Sequence, residues 1–174
     1  SVECYRNRLT SLDFSDAVRL STLFCYENQL TSLLIPQCTR LRNLYCGQNQ
    51  LSALDVSACT NLYSLSCSVN ELTALDVSQN PGLTMLVCGA NPIAELDLSA
   101  NTALTTLYCN DSRLTQLHLD HLTRLSTLLC YNNQITDLTL STVTTILRCS
   151  DNPLGELNVS ACGWLRDLEC NNTN

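Results

Sequence analysis

The chain has 174 residues, 45% of them hydrophobic and only 5% aromatic, with a formal charge of −7. That length can bury a core as one domain, whereas the acidic balance argues against a nucleic-acid partner, because there is no basic excess to displace counterions. All nine positive residues are Arg, no apolar run reaches the roughly 18 residues of a membrane span, and neither a signal peptide nor an initiator Met is visible, which suggests a mature product or an excised segment.

In chain order, the first element is "SVECYRNRLTSLDFS" at 1–15. Its frame returns at once: "TLFCYENQL" at 22–30 becomes "NLYCGQNQL" at 43–51 and "TLLCYNNQI" at 127–135. Cys4, Cys25, Cys46, Cys67, Cys88, Cys109, Cys130, Cys149 and Cys170 follow one another at 21 residues, except for one step of 19 between Cys130 and Cys149. A fixed period of this size is the signature of a solenoid. The frame reads L-x-x-L-x-C-x-x-N-x-L-x-x-L-x-[VLF]-S, and "ALDVSACTNL" at 53–62 is a looser copy of its first half. Each half-turn holds a short alternating stretch, as a strand with one buried face requires, and none has a sustained 3.6-residue period. Two short strands per coil are therefore expected, with little or no helix. Neighbouring coils should lie about 4.8 Å apart, so that roughly eight make a rod about 40 Å long.

Within each coil, Cys takes an inward place where the neighbouring frame uses Leu, as a small, readily buried hydrophobe. Three residues later stands Asn7, Asn28, Asn49, Asn70, Asn91, Asn133 or Asn152, with Ser112 and Thr173 substituting in two coils. An inward Asn amide can pair backbone groups of its own coil and of the next, forming a ladder. Both columns are expected to be structural. Cys38, Cys59 and Cys162 occupy a second corner, shared with Asn80 and Asn101, and are expected to fill a turn.

These residues resemble the leucine-rich repeat family, in its short 21-residue bacterial class. The stretch "LTALDVSQNPGLTMLVCGANPIAELDLSANTALTTLYC" carries the likeness, and the cysteine column is similar to that of internalin-type surface proteins. The resemblance covers residues 3–172. It implies one right-handed leucine-rich repeat solenoid over 1–174, non-catalytic, secreted or displayed on a bacterial cell surface, and serving adhesion or recognition. Two departures stand out: the 19-residue coil near "LSTVTTILRC", which should tighten one turn, and the absence of a visible helical cap.

Reactive readings of the cysteines compete with packing. Disulfides between neighbouring coils are disfavoured because parallel Cβ vectors hold Cβ atoms near 4.8 Å, beyond the usual range. Zinc needs four converging ligands, and thiols in a line do not converge. "ACGWL" at 161–165 offers a nucleophile, but His118 and His121, the only histidines, sit about two coils away. Neither a metal, nor a cofactor, nor a catalytic residue is expected. Asp13, Asp55, Asp76 and Asp97 form an acidic column that either caps turn amides or holds calcium; capping is the expectation.

Outward positions carry the aromatics. Just before each Cys stand, among others, Phe24, Tyr45 and Tyr108; just after stand Tyr5, Tyr26 and Tyr131. Only Tyr63 and Phe14 among the Tyr and Phe residues lie elsewhere. Two aromatic patches are expected on the exposed sheet face, Tyr5–Phe24–Tyr26–Tyr45 and Tyr108–Tyr131. They suit a protein or glycan ligand, although aromatics also serve simply as sheet residues. The chain begins and ends in nearly the same phase without polar caps, so head-to-tail self-association into a filament is the alternative to a chain cut from a longer protein.

Overall fold

The computed structural model describes residues 1–173, coiled as a solenoid of about eight turns with no helix. Each Cys-bearing half-turn contributes one short strand: β1 (Val2–Glu3), β3 (Thr22–Phe24), β5 (Asn43–Tyr45), β6 (Ser64–Ser66), β7 (Met85–Val87), β8 (Thr106–Tyr108), β10 (Thr127–Leu129), β12 (Ile146–Arg148) and β13 (Asp167–Glu169). These nine form one parallel sheet, with each strand beside its predecessor. The register advances by one repeat, as in Leu23↔Leu44 and Leu44↔Leu65. In the seven inner strands the central Leu and the following Cys point inward, which stacks Leu23, Leu44, Leu65, Leu86, Leu107, Leu128 and Leu147 as one fully buried column. Further Leu, Ile and Val columns from the turns and the opposite wall fill the remaining interior.

The opposite wall departs from the expected second strand per coil. Only β2 (Ser11–Asp13), β4 (Ser32–Leu34), β9 (Gln116–His118) and β11 (Asp137–Thr139) form there, as the two separate pairs β2–β4 and β9–β11. In both pairs the acidic column is broken, with Asp13 beside Leu34 and His118 beside Thr139. Between them, Asp55, Asp76 and Asp97 follow one another in three consecutive coils and no ladder forms. Like charges in adjacent positions repel, and Asp76 feels both Asp55 and Asp97. The Asp side chains also accept the N–H of the Ser two residues on, at 2.8–2.9 Å for Asp55, Asp76 and Asp97. Asp13 makes the same bond to Ser15 in a coil that does pair, so this local turn does not by itself prevent pairing. The paired coils instead carry Thr10, Thr31, Thr115 and Thr136 at the strand entrance, a β-branched residue where the unpaired ones have Ser52, Thr73, Ala94 and Gly155, so β-propensity tips the balance only in part.

The short coil loses one turn, not a strand. In regular coils two turns follow in succession, such as Leu122 N–H to the Leu119 carbonyl and Leu125 N–H to the Leu122 carbonyl. After Leu140 the first is missing, and Ser141 enters directly into the second, closed by Thr144 N–H on the Ser141 carbonyl at 3.1 Å. The sheet does not register the deletion: β10 and β12 pair as Leu128↔Leu147.

Candidate functional site

The internal columns come first, because they set the position of everything outside. Cys25, Cys46, Cys67, Cys88, Cys109, Cys130 and Cys149 are buried, and all twelve cysteines are free thiols. Cys4 is half-buried and Cys170 exposed, which departs from the expectation of nine buried thiols: each lies in an end coil covered by a neighbour on one side only. Burial pushes the Cys25 and Cys88 thiols up to about 12, and Cys46, Cys67 and Cys109 well above the ordinary range, with neighbouring thiols adding to the effect. A thiol so held is a packing group rather than a nucleophile.

The Asn column ties coil to coil. Asn49 donates from Nδ2 to the carbonyls of Cys25 and Cys46, both at 3.0 Å, while its Oδ1 accepts the Leu30 N–H at 2.9 Å. Asn28, Asn70, Asn91, Asn133 and Asn152 repeat the arrangement. Asn7, in the first coil, reaches only its own Cys4 and Tyr5 carbonyls. Ser112 and Thr173 likewise bond within their own coil.

A third column has no counterpart in the sequence reading. The residue before each Asn has positive φ, between 53° and 56°, at Arg6, Glu27, Gln48, Val69, Ala90, Asp111, Asn132, Asp151 and Asn172. None is Gly. This left-handed residue turns the chain so that the Asn side chain can reach the Cys carbonyl three residues back. Asn and Asp tolerate such a conformation best, and their recurrence in the later coils was the one available signal.

Outside the sheet, the six aromatic positions fall as two different arrangements. Tyr5 and Tyr26 stack with ring centroids 4.7 Å apart, and Phe24 and Tyr45 with centroids 4.9 Å apart; each pair is within 4° of parallel. The spacing is that of the strands themselves. Tyr108 and Tyr131 are half-buried on the same face but in different columns, beside Leu129 and Asn110 respectively, and they do not stack. Between the two groups the face is low: Gly47, Ser66, Ser68, Val87 and Gly89. Gly89 is obligatory there, since a Cβ would come within 2.7 Å of the Asn110 carbonyl oxygen. Arg6 pairs with Glu27 at 3.0 Å beside the first stack, and Arg148 with Asp167 and Glu169 at 3.1 and 3.3 Å at the other end.

The other candidate groups do not converge. Cys162 is buried and donates to the Ser141 carbonyl at 3.6 Å. His118 lies 4.0 Å from Asp137, and His121 Nε2 lies 3.3 Å from the Leu98 carbonyl. Among the described residues, no three His, Cys, Asp or Glu side chains come together as a metal would require. The acidic column is engaged in capping: Asp13, Asp55, Asp76 and Asp97 are all held below the usual carboxylate range by their bonds to Ser15, Ser57, Ser78 and Ser99.

No protein-family model and no curated protein sequence matches the chain. Solved structures do. The functional domain of InlJ from Listeria monocytogenes, which includes a cysteine ladder, aligns at 36% identity with a TM-score of 0.76, over 94% of this chain and 42% of its own. YopM from Yersinia enterocolitica aligns at 28% identity and TM-score 0.73, over 86% of this chain and 32% of its own. A Leptospira interrogans leucine-rich repeat protein shares the fold at 24% identity and TM-score 0.87, over 96% of this chain and 47% of its own. The chain thus spans less than half the length of each. Its period, its inward Leu, Cys and Asn columns and its likeness to InlJ lead to one conclusion: the chain belongs to the internalin-like leucine-rich repeat family, in the form that carries a cysteine ladder.

Proposed function

We propose that the chain is a non-catalytic recognition module that engages a protein through the aromatic columns on the outer face of its nine-stranded sheet, and that its parent protein works outside the cell or on its surface. The observation that carries this reading is the double stack of Tyr5–Tyr26 and Phe24–Tyr45 on an otherwise low face. Rigid aromatics assembled in one patch supply contact area at little entropic cost. Of the two occupants expected from the sequence, the stacking favours protein over glycan. A sugar lies against the face of a ring, and each of these four rings has one of its two faces covered by its stacking partner. A protein surface can meet such a pair with apolar side chains, and with hydrogen bonds to the three Tyr hydroxyls. The extracellular setting rests on the likeness to InlJ. No helix among the described residues is long and apolar enough to cross a membrane.

The test is a pair of substitutions, Tyr26→Ser with Tyr45→Ser, which touch no internal column. Capture from host secretions, alongside a glycan array, is expected to yield a protein ligand whose affinity falls by about 30-fold or more in the double variant, the scale of a lost hot spot, with Tm near wild type. Full affinity in the double variant would remove the stacked face from the account. A glycan-only signal would exchange the ligand class.

A further inference from the structure

One tyrosine is more exposed than all the others and stacks on no ring. Tyr63 is 56% exposed and lies on the flank of the sheet, just before β6, in a column that runs Ser21, Arg42, Tyr63, Thr84. The stacking is fixed by Arg42 N–H on the Ser21 carbonyl at 2.8 Å, Tyr63 N–H on Arg42 at 2.8 Å and Thr84 N–H on Tyr63 at 2.9 Å. No ring stands above or below it, in contrast to the two stacked pairs. Arg42, Asn43, Asn61, Tyr63 and Gly82 together line an open cleft of about 410 Å³.

The chemistry of that lining is specific. Asn43 donates to Thr22 Oγ1 at 3.3 Å and Asn61 to the Thr39 carbonyl at 2.8 Å, so both amides are anchored to the preceding coil, and their oxygens accept nothing from the described residues. Ser64, which pairs with Asn43 across the ladder, is 4% exposed, and its hydroxyl is buried without a partner. The column beside Tyr63 runs Arg19, Arg40, Asn61, Gly82; Gly82 stands there without a side chain and lines the cleft. Among the described residues neither Arg40 nor Arg42 joins an ion pair, and no Asp or Glu occurs between Glu27 and Asp55. In a chain of charge −7, this flank is a local concentration of uncompensated guanidinium.

An exposed, unstacked aromatic ring, amide oxygens placed to accept from hydroxyls and unpaired arginines suit a ligand with one apolar face, a hydroxyl edge and a negative group. We infer that the Arg42–Tyr63 cleft binds an acidic sugar residue of a glycan, its ring against Tyr63 and its carboxylate or sulfate toward Arg42 and Arg40. This site is separate from the stacked face proposed above and stands or falls independently of it.

Two acidic probes distinguish the anionic group: a hyaluronan tetrasaccharide carries carboxylates, and a heparin-derived tetrasaccharide carries sulfates as well. Cellotetraose and inorganic sulfate serve as the neutral and the ring-free controls. Titration followed by amide shifts in the labelled chain is expected to show binding of at least one acidic probe, with the largest changes at Arg42, Asn61 and Tyr63. Both controls should bind at least tenfold more weakly. Arg42→Gln and Tyr63→Ala should each cost tenfold or more in affinity without lowering Tm, whereas Tyr26→Ser with Tyr45→Ser should bind as wild type. Absence of binding by both acidic probes at millimolar concentration would overturn the assignment. So would inorganic sulfate or cellotetraose matching the better probe, or Arg42→Gln leaving affinity unchanged.

Discussion

Asn70 shows what a single residue contributes to this architecture. Its Nδ2 reaches the carbonyls of Cys46 at 3.1 Å and Cys67 at 3.0 Å, and its Oδ1 accepts the Leu51 N–H at 2.9 Å. One side chain thereby satisfies three buried backbone groups on two adjacent coils. Removing it in Asn70→Ala strands all three, at about 1–3 kcal/mol for each buried group left unpaired. The expected loss is about 3 kcal/mol or more, read as a fall in the urea midpoint. Asn70→Ser should recover little of it, because Ser112 in the same column bonds only the Asn110 carbonyl at 3.4 Å and none of the three positions that Asn70 serves. This role was legible in the sequence, since Asn recurs three residues after Cys and a buried amide must find partners. Asn80 and Asn101 were legible only as turn fillers. Each donates to two carbonyls across coils while its Oδ1 remains buried and unpartnered, a detail that depends on side-chain direction and leaves no trace in spacing.

At the scale of the element, the turn between Cys and Asn is where the chain is under strain. Val69 has φ of 56° and is 48% exposed; a β-branched residue in the left-handed region costs about 1–2 kcal/mol. Asn132 and Asn172 hold the same place in later coils with side chains that tolerate it. Val69→Asn is therefore expected to stabilise the chain by about 1 kcal/mol, seen as a raised Tm, whereas the same change at the inward Val77 would bury an unpaired amide and do the opposite. The sheet strands were legible because Leu and Cys alternate inward with mixed outward residues. The second strands were overestimated. Alternation in "ALDV" is the same whether or not the coil pairs; the three coils with successive Asp stay unpaired, while Asp13 pairs beside Leu34 and His118 beside Thr139. The aromatic columns were legible as positions, but not that four rings would stack in pairs while Tyr63, Tyr108 and Tyr131 stood unstacked.

Over the whole molecule, the thiol column makes stability depend on alkali. Unfolded thiols ionise near pH 8.5, while burial holds Cys88 to about 12 and Cys46, Cys67 and Cys109 well above the ordinary range. Above the unfolded value the native chain carries the greater number of protons, so stability falls as pH rises, by about 1.4 kcal/mol per buried thiol per pH unit. Full stability is expected below about pH 8 and a steep loss above pH 9. Urea midpoints measured across that range test it, and Cys67→Ala should make the fall shallower by one thiol's share. The 19-residue coil completes the picture. Leu128 and Leu147 meet in the same register as any other neighbours, although the path between them is two residues shorter than in the other coils. The cysteine-bearing wall thus keeps its register while the change of length is taken up at the seam between Leu140 and Ser141. Restoring two residues at that seam, to give a coil of the ordinary length, is expected to leave the Leu128–Leu147 pairing and the Tm unchanged.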